Sequence, residues 1–184
     1  MKLFLIAGLL LAGSCLKAQQ NPTDLDKSPM DMSYCPANYP ILKMNGKTTE
    51  PPVARLVYSR PQKSGRVIFG SLVKYGQVWR LGANEATELE FFRNVKINGK
   101  TVPKGRYTFY AICQDNKWTL IINKEKDIWG LAYNPNKDLL RVDVPVQQMS
   151  TSVEALTMYF ETITGGAHLI ILWDQVKVVL PISY

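Results

Sequence analysis

Arg60 and Arg66 bracket the loop Pro61-Gln62-Lys63-Ser64-Gly65. Trp79, Arg80, Asn84, Glu85 and Thr87 follow closely, and Arg106 with Tyr107 opens a later run of strand-forming residues. A guanidinium makes paired hydrogen bonds to a carboxylate or phosphate, and an indole or phenol offers a face for stacking. Together these side chains suit recognition of an anionic sugar or a peptide carboxylate. The turn Gly82-Ala83-Asn84-Glu85-Ala86 sets an amide and a carboxylate among neighbours too small to shield them. The same residues have a second reading, in which they brace the fold. Arg80 then pairs with Glu85 to lock the turn, Asn84 serves a left-handed backbone, and Trp79 belongs to the core. At the level of sequence both readings stand.

Other chemistries find less support. His168 is the single histidine, and no GxSxG turn is present to pair with it, so a serine triad is disfavoured. Zinc needs several His or Cys ligands at short spacing, which are missing. A calcium loop around Asn134-Pro135-Asn136-Lys137-Asp138 has Lys137 inside it and lacks the Asp-x-Asp-x-Asp order. No glycine loop leads into a helix to cradle phosphate, and no cofactor is expected. The formal net charge of +7 comes from scattered lysines and arginines without a basic run, and Lys2 and Lys17 leave with the leader. Nucleic acid is therefore not expected as a partner.

The elements that position these residues read as strands. Short runs of β-branched and aromatic residues recur between Gly, Pro, Asn and Asp, predicting strands near 53–58, 66–69, 77–81, 87–92, 106–112, 117–123, 139–144, 153–160, 167–173 and 176–182. Leu140, Val142 and Val144 alternate with charged neighbours, as do Trp118, Leu120 and Ile122, and Leu156, Met158 and Phe160. That is the pattern of a half-buried antiparallel strand. The segments Leu169-Ile170-Ile171-Leu172-Trp173 and Val178-Val179-Leu180 are apolar without alternation and predict strands covered on both faces. Asn98-Gly99, Asp115-Asn116 and Gly165-Gly166 read as hairpin turns. Helical periodicity is weak throughout, with room for a turn or two in 147–155. The expected fold is all-β, an antiparallel two-sheet sandwich of jelly-roll or Greek-key type with a Pro-rich N-terminal arm.

Organisation follows from the N-terminus. Met1-Lys2 and the apolar residues 3–12 have the order of a secretory signal too short to span a bilayer. Cleavage after Ala18 gives a soluble exported protein, whereas Ala12-Gly13-Ser14-Cys15 reads as a lipoprotein motif that would acylate Cys15 and anchor the chain to a membrane. Residues 1–18 are thus a signal peptide and 19–52 a proline-punctuated arm, whose apolar part packs on the body formed by 53–184. In an oxidising compartment Cys35 and Cys113 either bridge or remain buried thiols.

The run YSRPQKSGRVIFGSLVKYGQVWRLGANEAT, residues 58–87, resembles the signature of a bacterial family of exported proteins catalogued as domain of unknown function 2911. KGRYTFYAI, KWTLIINK, Trp129-Gly130 with Tyr133-Asn134, and DLLRVDVP are similar to that family's pattern as well. The resemblance runs from about Ser28 to the end and implies a secreted bacterial β-rich protein, with no activity or ligand attached. Cys35 and Cys113 stand outside the pattern. The function expected from the residues is a non-catalytic binding or interaction module, periplasmic, secreted or lipid-anchored, whose envelope ligand is a protein, an anionic glycan or a cell-wall fragment. The rivals are an envelope hydrolase acting on a carbohydrate or ester with Glu85 as acid or base, and a structural envelope subunit.

Overall fold

A computed structural model describes residues 24–184. The leader, its cleavage sites and Cys15 lie outside the described residues. In chain order the elements are β1 (Met30–Cys35), α1 (Tyr39–Met44), β2 (Ala54–Ser59), β3 (Val78–Trp79), β4 (Glu88–Phe91), β5 (Val95–Ile97), β6 (Lys100–Val102), β7 (Gly105–Cys113), β8 (Lys117–Asn123), β9 (Asp138–Ile163) and β10 (Gly166–Ser183). A short 3-10 turn, Pro135–Lys137, precedes β9. The fold is all-β and antiparallel, in the order β1-β2-β4-β7-β8-β9-β10-β5-β6, with β3 paired to the far half of β7.

One continuous sheet makes two layers, and β9 is the reason. Its first part pairs with β8 as far as Lys117↔Pro145. From Val146↔Val178 onward the same strand pairs with β10. The layers meet through four aromatic rings: Phe69 lies 5.1 Å from Trp118 of β8 and 6.1 Å from Trp173 of β10, and Trp79 stacks on Trp173 at 5.7 Å. Such pairs add about 0.5–1.5 kcal/mol each beyond simple area burial, so the cluster both joins the layers and fixes Trp79. At one corner the sheet closes on itself. Gln62 bridges Ala155, Lys63 N–H donates to Glu154 O at 2.7 Å, and Leu156 N–H donates to Pro61 O at 3.0 Å.

The alternating inward residues of β8 and β9 are buried as their patterns require, Trp118, Leu120, Leu156 and Met158 being at most 1% exposed. Asn98-Gly99 and Asp115-Asn116 close the β5–β6 and β7–β8 hairpins. Several expectations change. Segments 139–144 and 153–160 are one strand, as are 167–173 and 176–182. Residues 147–155, where a helical turn had room, are extended. β10 pairs with Gln147, Gln148 and Val153 across bulges around Asp174, the loop residues Gln62 and Lys63 pair with Ala155 and Glu154, and Thr151 and Val153 favour strand over helix. Residues 66–69 form no strand, because their backbone closes locally: Val73 N–H donates to Ile68 O at 2.9 Å and Gly70 N–H to Val73 O at 2.8 Å. The N-terminal arm holds a six-residue strand, β1, between Pro29 and Pro36, in register with β2 from Met30↔Ser59 to Cys35↔Ala54. It is therefore an edge strand of the sheet.

Cys35 and Cys113 are both free and buried. The Cys35 sulfur sits 3.7 Å from the Tyr184 hydroxyl, while Cys113 is part of the main core. Burial pushes both thiols upward in pKa.

Candidate functional site

The site begins with strand alternation. Trp79 faces the aromatic cluster, so Arg80, the next residue, is directed to the outer side of the sheet. The chain then turns through Leu81, which is fully buried at φ 54°. A left-handed backbone costs a bulky residue about 1–2 kcal/mol, and hydrogen bonds offset it. The Thr87 hydroxyl donates to Leu81 O at 2.7 Å, Trp79 Nε1 donates to Gly82 O at 3.2 Å, and Thr87 N–H donates to Arg80 O at 3.2 Å. Asn84, at φ 55°, takes the left-handed conformation its short side chain tolerates. The turn is thereby rigid, and Glu85 at its tip is exposed.

A second loop, residues 124–134, lies against this turn. Ala86 N–H donates to Ile128 O at 3.2 Å. Arg106 on β7 holds Asp127 at 2.6 Å and Glu88 at 3.5 Å. Gly130 is pressed on Arg80 and Ala86 so closely that an added Cβ would stand 2.7 Å from the Ala86 methyl and 3.1 Å from the Arg80 Cβ. Between the two loops runs a groove of about 380 Å³ walled by Met30, Val57, Ala86, Ile128 and Trp129, with the carboxylates of Glu85, Glu88 and Asp127. An adjoining pocket of about 260 Å³ shares Met30, Glu85 and Trp129 and adds Asp26, Ser28 and Asn84. Trp129 is 51% and Met30 58% exposed, far more than packing residues of their size.

Arg80 and Glu85 form no pair. The Arg80 Nε is buried without an acceptor, and burial draws the guanidinium below its ordinary pKa. On the neighbouring strand Tyr110 Oη is buried without a partner, and so is Glu125 Oε2 in the loop above it; burial, then the charges of Glu125 and Asp138, push Tyr110 to about 12. Glu85 carries no ion pair among the described residues. An unengaged carboxylate next to a half-exposed indole can accept hydrogen bonds from hydroxyl or amine groups while the ring packs on an apolar face.

The remaining sequence candidates hold the fold together. Arg60 clamps β1 to β9, donating to Asp31 at 3.1 Å, Thr157 Oγ1 at 2.9 Å and Leu156 O at 3.1 Å. Arg66 folds back on its own loop, donating from Nε to Lys63 O at 3.0 Å and from Nη2 to Gln62 O. Tyr107 is buried and donates to Pro103 O at 2.8 Å. Thr87 and Trp79 fix the turn, and Arg106 anchors the groove's acidic residues. Of the original set, the groove and its adjoining pocket bring together Asn84 and Glu85. In the Asn134–Asp138 segment, Asn134 Oδ1 accepts from Asn136 N–H at 3.0 Å, and Asp138 accepts from Asn123 at 2.8 Å and Arg141 at 2.7 Å, so these oxygens already have protein partners.

The groove also holds Met30, Glu88, Asp127 and Trp129, which lay outside the candidate set, although the sequence pointed to Trp129 through the Trp129-Gly130 pair of the family resemblance. The available signal was local: an indole in a charged segment, Lys124-Glu125-Lys126-Asp127, with no strand alternation around it to bury it. A larger depression of about 530 Å³ surrounds His168, Val142 and Pro181, but its one carboxylate, Asp143, is already taken by Lys117 at 2.6 Å and by Thr119.

A family model described as "Protein of unknown function (DUF2911)" matches residues 43–182, and the chain belongs to that family. No curated protein and no solved structure matches the chain.

Proposed function

We propose that this DUF2911 protein is a non-catalytic binding module of the bacterial cell envelope, exported by its leader, and that it holds a glycan or cell-wall fragment in the groove between the Glu85 turn and the Trp129 loop. One observation carries the reading: a large indole is left half exposed beside an unpaired carboxylate, on a loop pinned by Arg106 and by the Ile128 carbonyl. Ligand sites combine apolar surface with a few fixed polar groups in this way, and pre-formed loops avoid the ordering cost of binding. Whether the chain ends in a lipid anchor at Cys15 or is released after Ala18 decides only where the module sits.

Calorimetric titration of the exported protein with peptidoglycan fragments and envelope polysaccharides tests this. Trp129→Ala and Glu85→Ala should each lower the affinity of the recognised fragment at least roughly tenfold, equivalent to about 1.4 kcal/mol, with unchanged melting temperature. Wild-type affinity in both variants would show the face to be structural. A hydrolase reading needs a second carboxylate beside Glu85, and Glu88 and Asp127 line the same groove. Both, however, are bound to Arg106. Turnover of chromogenic glycosides that disappears in Glu85→Gln would favour that reading.

A further inference from the structure

Arg55, Arg60, Arg80 and Arg106 are partly buried. Three of them meet a carboxylate: Arg55 holds Glu90 at 2.5 Å, Arg60 holds Asp31 at 3.1 Å and Arg106 holds Asp127 at 2.6 Å. Arg80 makes no hydrogen bond or ion pair among the described residues. Continuing the register Val78↔Ile112 and Trp79↔Ala111 by one residue sets it opposite Tyr110, whose hydroxyl is fully buried and also unpartnered. Glu125, whose charge acts on Tyr110, keeps Oε2 buried without a donor. A guanidinium, a phenol and a carboxylate are thus covered by one loop, and none satisfies another. The cover is the segment 129–133. Gly130 rests on Arg80, and the Tyr133 ring meets that of Tyr110 edge-on at 5.2 Å. Between the Ile128 carbonyl, held by Ala86, and the Asn134 carbonyl, held by Asn123, these five residues make no backbone-to-backbone hydrogen bond. Trp129 and Leu131 are 51% and 73% exposed. Few backbone bonds and little buried apolar area mark a segment that opens at low cost.

We propose that the segment 129–133 is a flap over a second binding site, and that lifting it lets a small hydroxy acid, such as a sugar acid, seat its carboxylate on Arg80 and the Tyr110 hydroxyl while one of its own hydroxyls donates to Glu125. The chemistry follows from what each group lacks. A guanidinium fork matches a carboxylate, and a phenol hydroxyl beside it adds a further donor. Glu125 Oε2 needs a donor, which a hydroxyl supplies and a bare carboxylate does not. Buried polar atoms without partners are few in native proteins and costly to keep, and one ligand of this kind would satisfy all three. The site lies across Gly130 from the groove and is independent of what the groove binds.

Calorimetric titration with galacturonate, gluconate, galactose and acetate tests this, with iodide quenching of Trp129, the most exposed of the four tryptophans, following the flap. At least one of the two hydroxy acids should bind, roughly tenfold or more tighter than galactose or acetate, and change the quenching. Arg80→Gln should lower that affinity at least roughly tenfold and Tyr110→Phe roughly threefold to tenfold, whereas Arg66→Ala should leave it unchanged. Without ligand, Arg80→Gln and Tyr110→Phe should keep or raise the melting temperature, since each removes a buried group that nothing satisfies. A marked fall in melting temperature would assign both residues to holding the fold and overturn the site. So would failure of both hydroxy acids to bind, equal binding of galactose or acetate, or wild-type affinity in Arg80→Gln. Binding with unchanged quenching would overturn the flap. Wall fragments that still bind through Glu85 and Trp129 when neither acid does would leave the groove reading standing.

Discussion

Replacing Gly130 with alanine challenges the arrangement at its tightest point. Gly130 has φ 83°, which costs an L-residue about 1–2 kcal/mol. The new methyl would also stand 2.7 Å from the Ala86 Cβ, 3.1 Å from the Arg80 Cβ and 3.3 Å from its Cδ. Overpacking of this kind costs about 1–3 kcal/mol, so with the backbone cost Gly130→Ala should lose roughly 2–5 kcal/mol in urea unfolding. At about 2–4 °C per kcal/mol for a chain of this size, the melting temperature falls by roughly 4–20 °C. Gly76 provides the control, with φ 73° and nothing within 4 Å of an added Cβ. Gly76→Ala carries the backbone cost alone, about 1–2 kcal/mol. Adding Ala86→Gly to Gly130→Ala removes the shortest contact and should recover part of the excess, measurable as a coupling in a double-mutant cycle. If Gly130→Ala proves no more destabilising than Gly76→Ala, the loop does not rest on Arg80 and Ala86 as described, and the groove's wall loses its support.

Two further outcomes follow from burial. Tyr58, Tyr110, Tyr133 and Tyr184 are pushed up to about 12, chiefly by burial. A group whose folded pKa is raised stabilises below its unfolded value and loses that contribution as pH climbs through the folded one, so stability should decline between pH 10 and about 12, with tyrosine ionisation seen by ultraviolet absorbance coinciding with unfolding. Ionisation of these four tyrosines near pH 10 in the folded protein would contradict it. The thiols of Cys35 and Cys113 should be inert to a colorimetric thiol reagent in the folded protein and react on denaturation; a mature chain that shows no thiol even when denatured would mean the two are bridged.

Much of the architecture was legible because strand period and turn chemistry act locally. Leu140, Val142 and Val144 face inward wherever the strand goes, and Asn98-Gly99 closes a hairpin without help from the rest of the chain. What was illegible depends on distant partners. Nothing within 147–155 indicates that β10 will hold it extended, and nothing in 66–69 says that its hydrogen bonds will close on Val73. The site divides in the same way. The Arg80–Thr87 turn stood out by composition, but whether each arginine faces solvent or a carboxylate is set by tertiary partners, and for Arg60 and Arg106 those are Asp31 and Asp127, far away in sequence. Trp129 stood out in the sequence only within a family pattern, because its exposure results from a loop resting on the turn, which no pattern within the loop encodes.

Because β9 belongs to both layers, neither can come apart without exposing the core of the other. A single peptide cleavage near Pro145 would cut the one strand that pairs in both walls. The molecule should therefore melt as one unit. Length changes during evolution should be tolerated in the connecting loops and rejected in this strand, where adding one residue would turn its inward side chains outward on one side of the change.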